Sequence, residues 1–102
     1  MVAVYCVVFA RQAAKDAKRL KAAGLDGKAK QLVEVVRHDP FGRPPAYEAL
    51  VGNLQGLYSR RINLQHRFVY EVIPEAVEED GQKYQGTVKV LRMWTHYEGV
   101  QL

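Results

Sequence analysis

One boundary governs what this chain can fold into. Both helix-patterned stretches lie before Asp39-Pro40, and all but one of the strand-patterned stretches lie after it. Proline disfavours helical geometry in the residue that precedes it, so this dipeptide closes the helical part of the chain. Ahead of it, Val2 to Phe9 (VAVYCVVF) is a continuous run rich in β-branched residues and reads as a central or doubly covered strand. From Ala10 to Ala23 the spacing becomes helical. Ala10, Ala13, Ala14, Ala17 and Leu20 form an apolar stripe, and Arg11, Lys15 and Lys18 recur on another face. Gly24 ends this helix. Asp26 is placed to cap a second one, in which Ala29, Leu32, Val33 and Val36 keep the spacing of one helical face. The short Gly24–Gly27 connection implies an antiparallel helix pair.

Beyond the boundary, Phe41 to Ala46 (FGRPPA) is a loop and Tyr47 to Val51 a short strand. Leu57 to Leu64 and Arg67 to Ile73 read as two strands joined by a tight turn near Gln65-His66. Pro74 to Gly86 is polar and acidic, with Asp80-Gly81 as a turn signal, and reads as the long tip of a hairpin. Thr87 to Thr95 is the last strand. The order β-α-α-β-β-β-β predicts one α+β domain over residues 1–102: a twisted antiparallel sheet with two helices on one face and the other face open.

Charge separates along this order. Residues 1–67 hold twelve Lys/Arg against five Asp/Glu, whereas residues 68–102 hold three against six, with five of those acids between Glu71 and Asp80. A basic body with one acidic projection suits a polyanionic partner, and equally a merely solvated surface. No G-x-G-x-x-G or G-x-x-x-x-G-K-[ST] occurs, which excludes a Rossmann or P-loop enzyme. The single Cys6 excludes an internal disulfide and a multi-Cys zinc site. That cysteine usage, no apolar run long enough to span a bilayer and no signal-peptide pattern lead us to expect a cytoplasmic protein without a membrane partner.

The titratable side chains worth weighing are Glu48, Arg61, His66, Arg67 and His96. Cleaving RNA without a metal needs a base for the ribose 2′-OH, cations for the pentacoordinate phosphate and an acid for the leaving 5′-oxygen. A carboxylate, two arginines and a histidine on neighbouring strands suffice. Arg61 alternates with Leu57 and Ser59, while Tyr58, Arg60 and Ile62 take the other face. Because buried charge is expensive, at least one of Arg60 and Arg61 must face the open side. Each residue also has a plainer reading. Glu48 could be a surface residue paired with Arg61, His66 a structural part of its turn, and His38 a partner of its helix C-terminus. Tyr58, Phe68 and Trp94 fit packing better than base stacking.

The stretch EALVGNLQGLYSRRINLQHRFVY, Glu48 to Tyr70, resembles the YoeB/Txe branch of the RelE superfamily, with Arg92 and His96-Tyr97 standing for the family's C-terminal elements. The resemblance covers nearly the whole chain. It implies a RelE-like, microbial-RNase-like fold and a toxin of a type II toxin–antitoxin pair. The implied activity is that of a ribosome-dependent mRNA endonuclease needing no metal or cofactor. In that pattern Glu48 is the general base, His96 the general acid, Arg67 and Arg61 the phosphate ligands, and Tyr97 a positioning residue. Arg11, Lys15, Lys18 and Arg60 are expected to meet RNA or the ribosome. A cognate antitoxin, the ribosome with its mRNA, and a second copy of the chain are the implied partners. The sequence departs from the family at Val51-Gly52, where close members carry Lys-His, in its longer Arg92-to-His96 spacing, and in the tail Glu98–Leu102. The first departure leaves room for a catalytically weak RNA- or ribosome-binding module that kept the fold.

Overall fold

The computed structural model describes residues 4–94. Its elements run β1 (Tyr5–Phe9), α1 (Arg11–Ala22), α2 (Asp26–His38), β2 (Glu48–Ala49), a 3₁₀ turn (Gly52–Leu54), β3 (Leu57–Arg61), β4 (Arg67–Ile73), β5 (Val77–Glu79), β6 (Gln82–Tyr84) and β7 (Gly86–Arg92). The main sheet has five strands in the order β1-β7-β4-β3-β2. It is mixed: β1 runs parallel to β7, and the other pairings are antiparallel, as expected. The two helices carry the chain from β1 to β2 at the opposite edge of the sheet, and the last strand, β7, returns to lie parallel beside β1. The acidic tip proves to be a ribbon of its own, with β5 paired to β6 across Asp80-Gly81, both at positive φ.

The helices form as their spacing predicts. α1 ends in a Schellman motif: Gly24 takes a φ of 75°, its N–H reaches Lys21 O at 3.1 Å, and Leu25 N–H reaches Leu20 O at 2.8 Å. Asp26 lies one residue inside α2 rather than capping it, because the Schellman turn already spends Leu25 as the half-helical residue. Ala13, Leu20, Ala29, Leu32 and Val36 are buried against Ile62, Phe68, Tyr70, Val88 and Val90 of the sheet. Burying side chains of this size contributes roughly 1.5–3 kcal/mol each for the larger ones.

Three expectations need correction. β1 is an edge strand among the described residues rather than a central one: Tyr5 and Val7 pack against the core, but Val8 and Phe9 are 40% and 45% exposed. β3 stops at Arg61 because Asn63 Oδ1 accepts the N–H groups of Gln65 and His66, drawing residues 62–66 into a turn. The face away from the helices is not wholly open, since Leu50 and Leu54 fold back over Leu57, Val69 and Leu91. That small second core leaves the Arg61–Arg67 end of β3 and β4 uncovered.

One position in the α1 stripe is charged. Asp16 is fully buried and accepts from Arg92 Nε and Met93 N–H, both at 2.9 Å, and from Gln12 Nε2 at 3.1 Å. Burial alone would raise its carboxyl. The bonds from Arg92, Met93 and Gln12, with the Arg92 charge, outweigh this and hold it below the ordinary 3.8. A bulge makes the contact possible. Val69 pairs with Arg92 while Tyr70 pairs with Val90, so Leu91 is the extra residue. Leu91 packs with Val69, and Arg92 turns to the helix layer.

Candidate active site

Strand register builds the site. Glu48 on β2 stands opposite Ser59 on β3, and Arg61 on β3 stands opposite Arg67 on β4. Successive residues alternate faces, so these four side chains share the face away from the helices. They are tied together there. Arg67 donates from Nε to Ser59 Oγ at 2.8 Å and from Nη2 to Glu48 Oε1. The Arg67 side chain is 11% exposed, whereas that of Glu48 is 56% exposed. A cleft of ≈ 480 Å³ opens over them, lined also by Lys28 of α2 and by Tyr47. The carboxylate is thus reachable from solvent while the guanidinium that it touches is held in a fixed fork.

What places Glu48 is a buried staple. Arg60 is fully buried and donates from Nη1 to Pro45 O at 2.6 Å, from Nη2 to Pro40 O at 2.9 Å and from Nε to Tyr70 Oη at 3.1 Å. Tyr70 in turn donates to Pro40 O at 2.7 Å. Burial pushes the Tyr70 hydroxyl above its ordinary 10.0 against the pull of the Arg60 charge, which keeps it a donor. These bonds pin both ends of the 40–45 loop, from which the chain enters Tyr47 and Glu48. The Tyr47 ring is braced by Tyr58 at 5.9 Å and lies 4.2 Å and 5.1 Å from the guanidinium carbons of Arg43 and Arg60. Arg60 therefore cannot meet a polyanion. Its expected role at an RNA surface gives way to a structural one, because it is fully buried and each of its three nitrogens donates to a carbonyl of the 40–45 loop or to Tyr70.

The remaining candidates fall in different places. Arg61 is exposed and lines the cleft, so it is the arginine of the pair that faces the open side. The alternative ion pair of Glu48 with Arg61 is not formed; Arg67 takes that place. Arg11, Lys15 and Lys18 are exposed on α1, outside the cleft. His66 is buried, with its ring stacked 4.2 Å from Trp94, in keeping with a structural role in the turn. His38 is in the last turn of α2, and Phe68 is in the core. Arg92 faces Asp16 and not the cleft. Val51 is 80% exposed and Gly52 adopts a φ of 67°, so this segment brings no cation to the site. His96 and Tyr97 lie outside the described residues. Three residues that sequence reasoning did not name as site residues are Ser59, Tyr47 and Lys28. The alternation that grouped Ser59 with Arg61 could have found the first; nothing in the spacing points to the third, which comes from another layer.

The family model for the YoeB-like toxin of bacterial type II toxin-antitoxin systems matches residues 9–97. Toxin YoeB of Synechocystis sp. is 40% identical over 57 residues, a match spanning 56% of this chain and 59% of that protein. Among solved structures, the YoeB/ParE toxin from Agrobacterium tumefaciens superposes with a TM-score of 0.72 at 26% identity, covering 90% of this chain and 99% of the other. A YoeB-YefM complex and a YoeB dimer, both from Staphylococcus aureus, follow at 28% and 27% identity with TM-scores of 0.66 and 0.67. Each covers 91% of this chain and 98% of the other. The family match reaches from the end of β1 past the last described residue, and the helices, mixed sheet and Glu48–Arg67 cleft all lie within it. The chain belongs to the YoeB-like toxin family of bacterial type II toxin–antitoxin systems.

Proposed function

We propose that the chain is the toxin of such a pair and acts as a ribosome-dependent mRNA endonuclease. The observation that supports this best is the contact of a solvent-reachable carboxylate, Glu48, with a fixed guanidinium, Arg67, in a cleft that Arg61 also lines. In this scheme Glu48 takes the proton from a ribose 2′-OH, and the resulting oxygen attacks the adjacent phosphorus. Arg67 and Arg61 bind the non-bridging oxygens as charge builds on them, which is worth about 10²–10³ in rate per donor group. His96 protonates the departing 5′-oxygen and Tyr97 positions the reactants, both roles carried over from the family pattern. The products are a 2′,3′-cyclic phosphate, open to hydrolysis to a 3′-phosphate, and a 5′-hydroxyl. General acid–base groups contribute about 10²–10⁴ each. The scheme draws on side chains alone and assigns no cofactor or metal.

The ribosome with its mRNA, a cognate antitoxin and a second copy of the chain are the proposed partners. The Staphylococcus aureus relatives, solved in complex with YefM and as a dimer, support the last two. An acidic antitoxin segment would complement the basic body of the chain. The cytoplasm is the proposed location; among the described residues no helix is long and apolar enough to cross a membrane. The exposed Val51 and Gly52 favour a second reading, a ribosome-binding module that cuts weakly. Toeprinting a translated message separates the two. Wild-type protein should give new 5′ ends within the A-site codon, and Arg67→Ala should give none. Ribosome stalling without cut message would support the second reading and overturn the first.

A further inference from the structure

The cleft contains a cation that the sheet does not supply. Lys28 is the third residue of α2, in the helix layer, yet it lines the same cleft as Glu48, Ser59, Arg61 and Arg67. Its place does nothing for the helix, because the N-terminal end of the macrodipole is positive and disfavours a nearby cation. The adjacent residues show the contrast. Asp26, in the same turn, complements the dipole and pairs with Lys30 at 3.5 Å. Among the described residues no carboxylate pairs with Lys28, and its side chain is exposed. The helix thus carries an unfavourable, exposed charge that lines the cleft in which Arg67 meets the Glu48 carboxylate.

The other cations of the cleft are differently disposed. Arg67 is held by Glu48 and Ser59, and Arg61 stands beside it in strand register. In the nuclease scheme above, these two guanidiniums on adjacent strands serve one phosphate. An RNA strand crossing the cleft has a second phosphate one nucleotide away, and a cation rooted in a different layer can meet it without competing for the first. The segment after Glu48, with exposed Val51 and then Gly52, has no side chain to do so. We propose that Lys28 binds the phosphate next to the scissile one, so that the cleft is a two-phosphate site; this rests on the nuclease reading above. A flexible ammonium suits the task, since it meets a phosphate as a point charge with no demand on base identity or bidentate geometry.

The test measures binding of a short oligoribonucleotide made uncleavable by 2′-deoxy sugars, using fluorescence anisotropy across a salt series. Lys28→Ala should bind about tenfold more weakly than wild type. It should also flatten the dependence of log K on log salt by about 0.7, the increment for one phosphate on a single strand. Lys28→Arg should restore both, which a mere packing role would not produce, and neither variant should melt below wild type, because Lys28 does not support its helix. Unchanged affinity and slope for Lys28→Ala, with Arg67→Ala clearly weakened, would overturn the second-phosphate site alone. Absent wild-type binding would overturn the two-phosphate site, and binding indifferent to Arg67→Ala would overturn Arg67 as a phosphate ligand, and with it the nuclease reading and this site.

Discussion

Replacing Arg60 with Met removes the staple behind the site and alters no residue that lines the cleft. Three hydrogen bonds vanish, those to Pro45 O, Pro40 O and Tyr70 Oη. Bonds from a charged group are worth about 1.5–3 kcal/mol each. The loss is smaller than their sum for two reasons. Pro40 O keeps Tyr70 as a donor, and Pro45 O is only partly buried, so water can replace the guanidinium. Removing a buried charge also removes its desolvation penalty. A net cost of about 2–4 kcal/mol follows, a large share of the 5–15 kcal/mol typical of a whole domain. The melting temperature should fall by roughly 10–25 °C. Urea unfolding followed by the fluorescence of Trp94, the single tryptophan, measures this directly. Arg60→Lys should lose nearly as much, because one ammonium cannot reach three separated acceptors. Either variant unfolding within about 0.5 kcal/mol of wild type, the scatter of ordinary surface changes, would refute the reasoning.

Asp16→Asn should cost about 2–3 kcal/mol, because an amide replaces the buried carboxylate that accepts from Arg92, Met93 and Gln12. The Asp16 carboxyl titrates below 3.8 when folded, so its contribution is present above that value and lost as pH falls through the lower folded one; acid unfolding of Asp16→Asn should therefore be less steep below about pH 4. Ser59→Ala removes the acceptor of Arg67 Nε and should slow single-turnover cleavage about tenfold with a stability loss near 1 kcal/mol. Reversing the α1 stripe (Arg11, Lys15 and Lys18 to Glu) should weaken ribosome association most at low salt, measured by co-sedimentation; unchanged association would return this face to a solvated surface.

How much of this was legible in the sequence depends on how local the physics is. Helix spacing, the stop at Asp39-Pro40 and the β-rich remainder are local and gave the layer architecture. Alternation along β3 required one of Arg60 and Arg61 to face the open side, and Arg61 does. It could not say where Arg60 goes, because its acceptors lie 15 and 20 residues earlier in a proline loop. Asp16 interrupts an otherwise apolar stripe, and its partner Arg92 is 76 residues away, brought round by a bulge that no composition marks. The edge position of β1 was hidden for a related reason. An apolar run tells of burial on its faces but not of which strand lies beside it. Glu48, Arg61 and Arg67 were candidates by their chemistry and received their roles through the resemblance, and the register joins them through Ser59, which lies between them on the same face. Lys28 joins them only in three dimensions.

The central claim is that Glu48 and Arg67 promote attack by a ribose 2′-OH on the neighbouring phosphate. The most direct test is a ribosome-bound message carrying one 2′-deoxy sugar immediately 5′ of the mapped cut. Incubated with wild-type protein, it should stay intact at that bond while the matched all-ribose message is cut to a 2′,3′-cyclic phosphate or 3′-phosphate and a 5′-hydroxyl. Cleavage of the deoxy-substituted bond at the all-ribose rate would contradict the account, because no nucleophile from the substrate would then be needed.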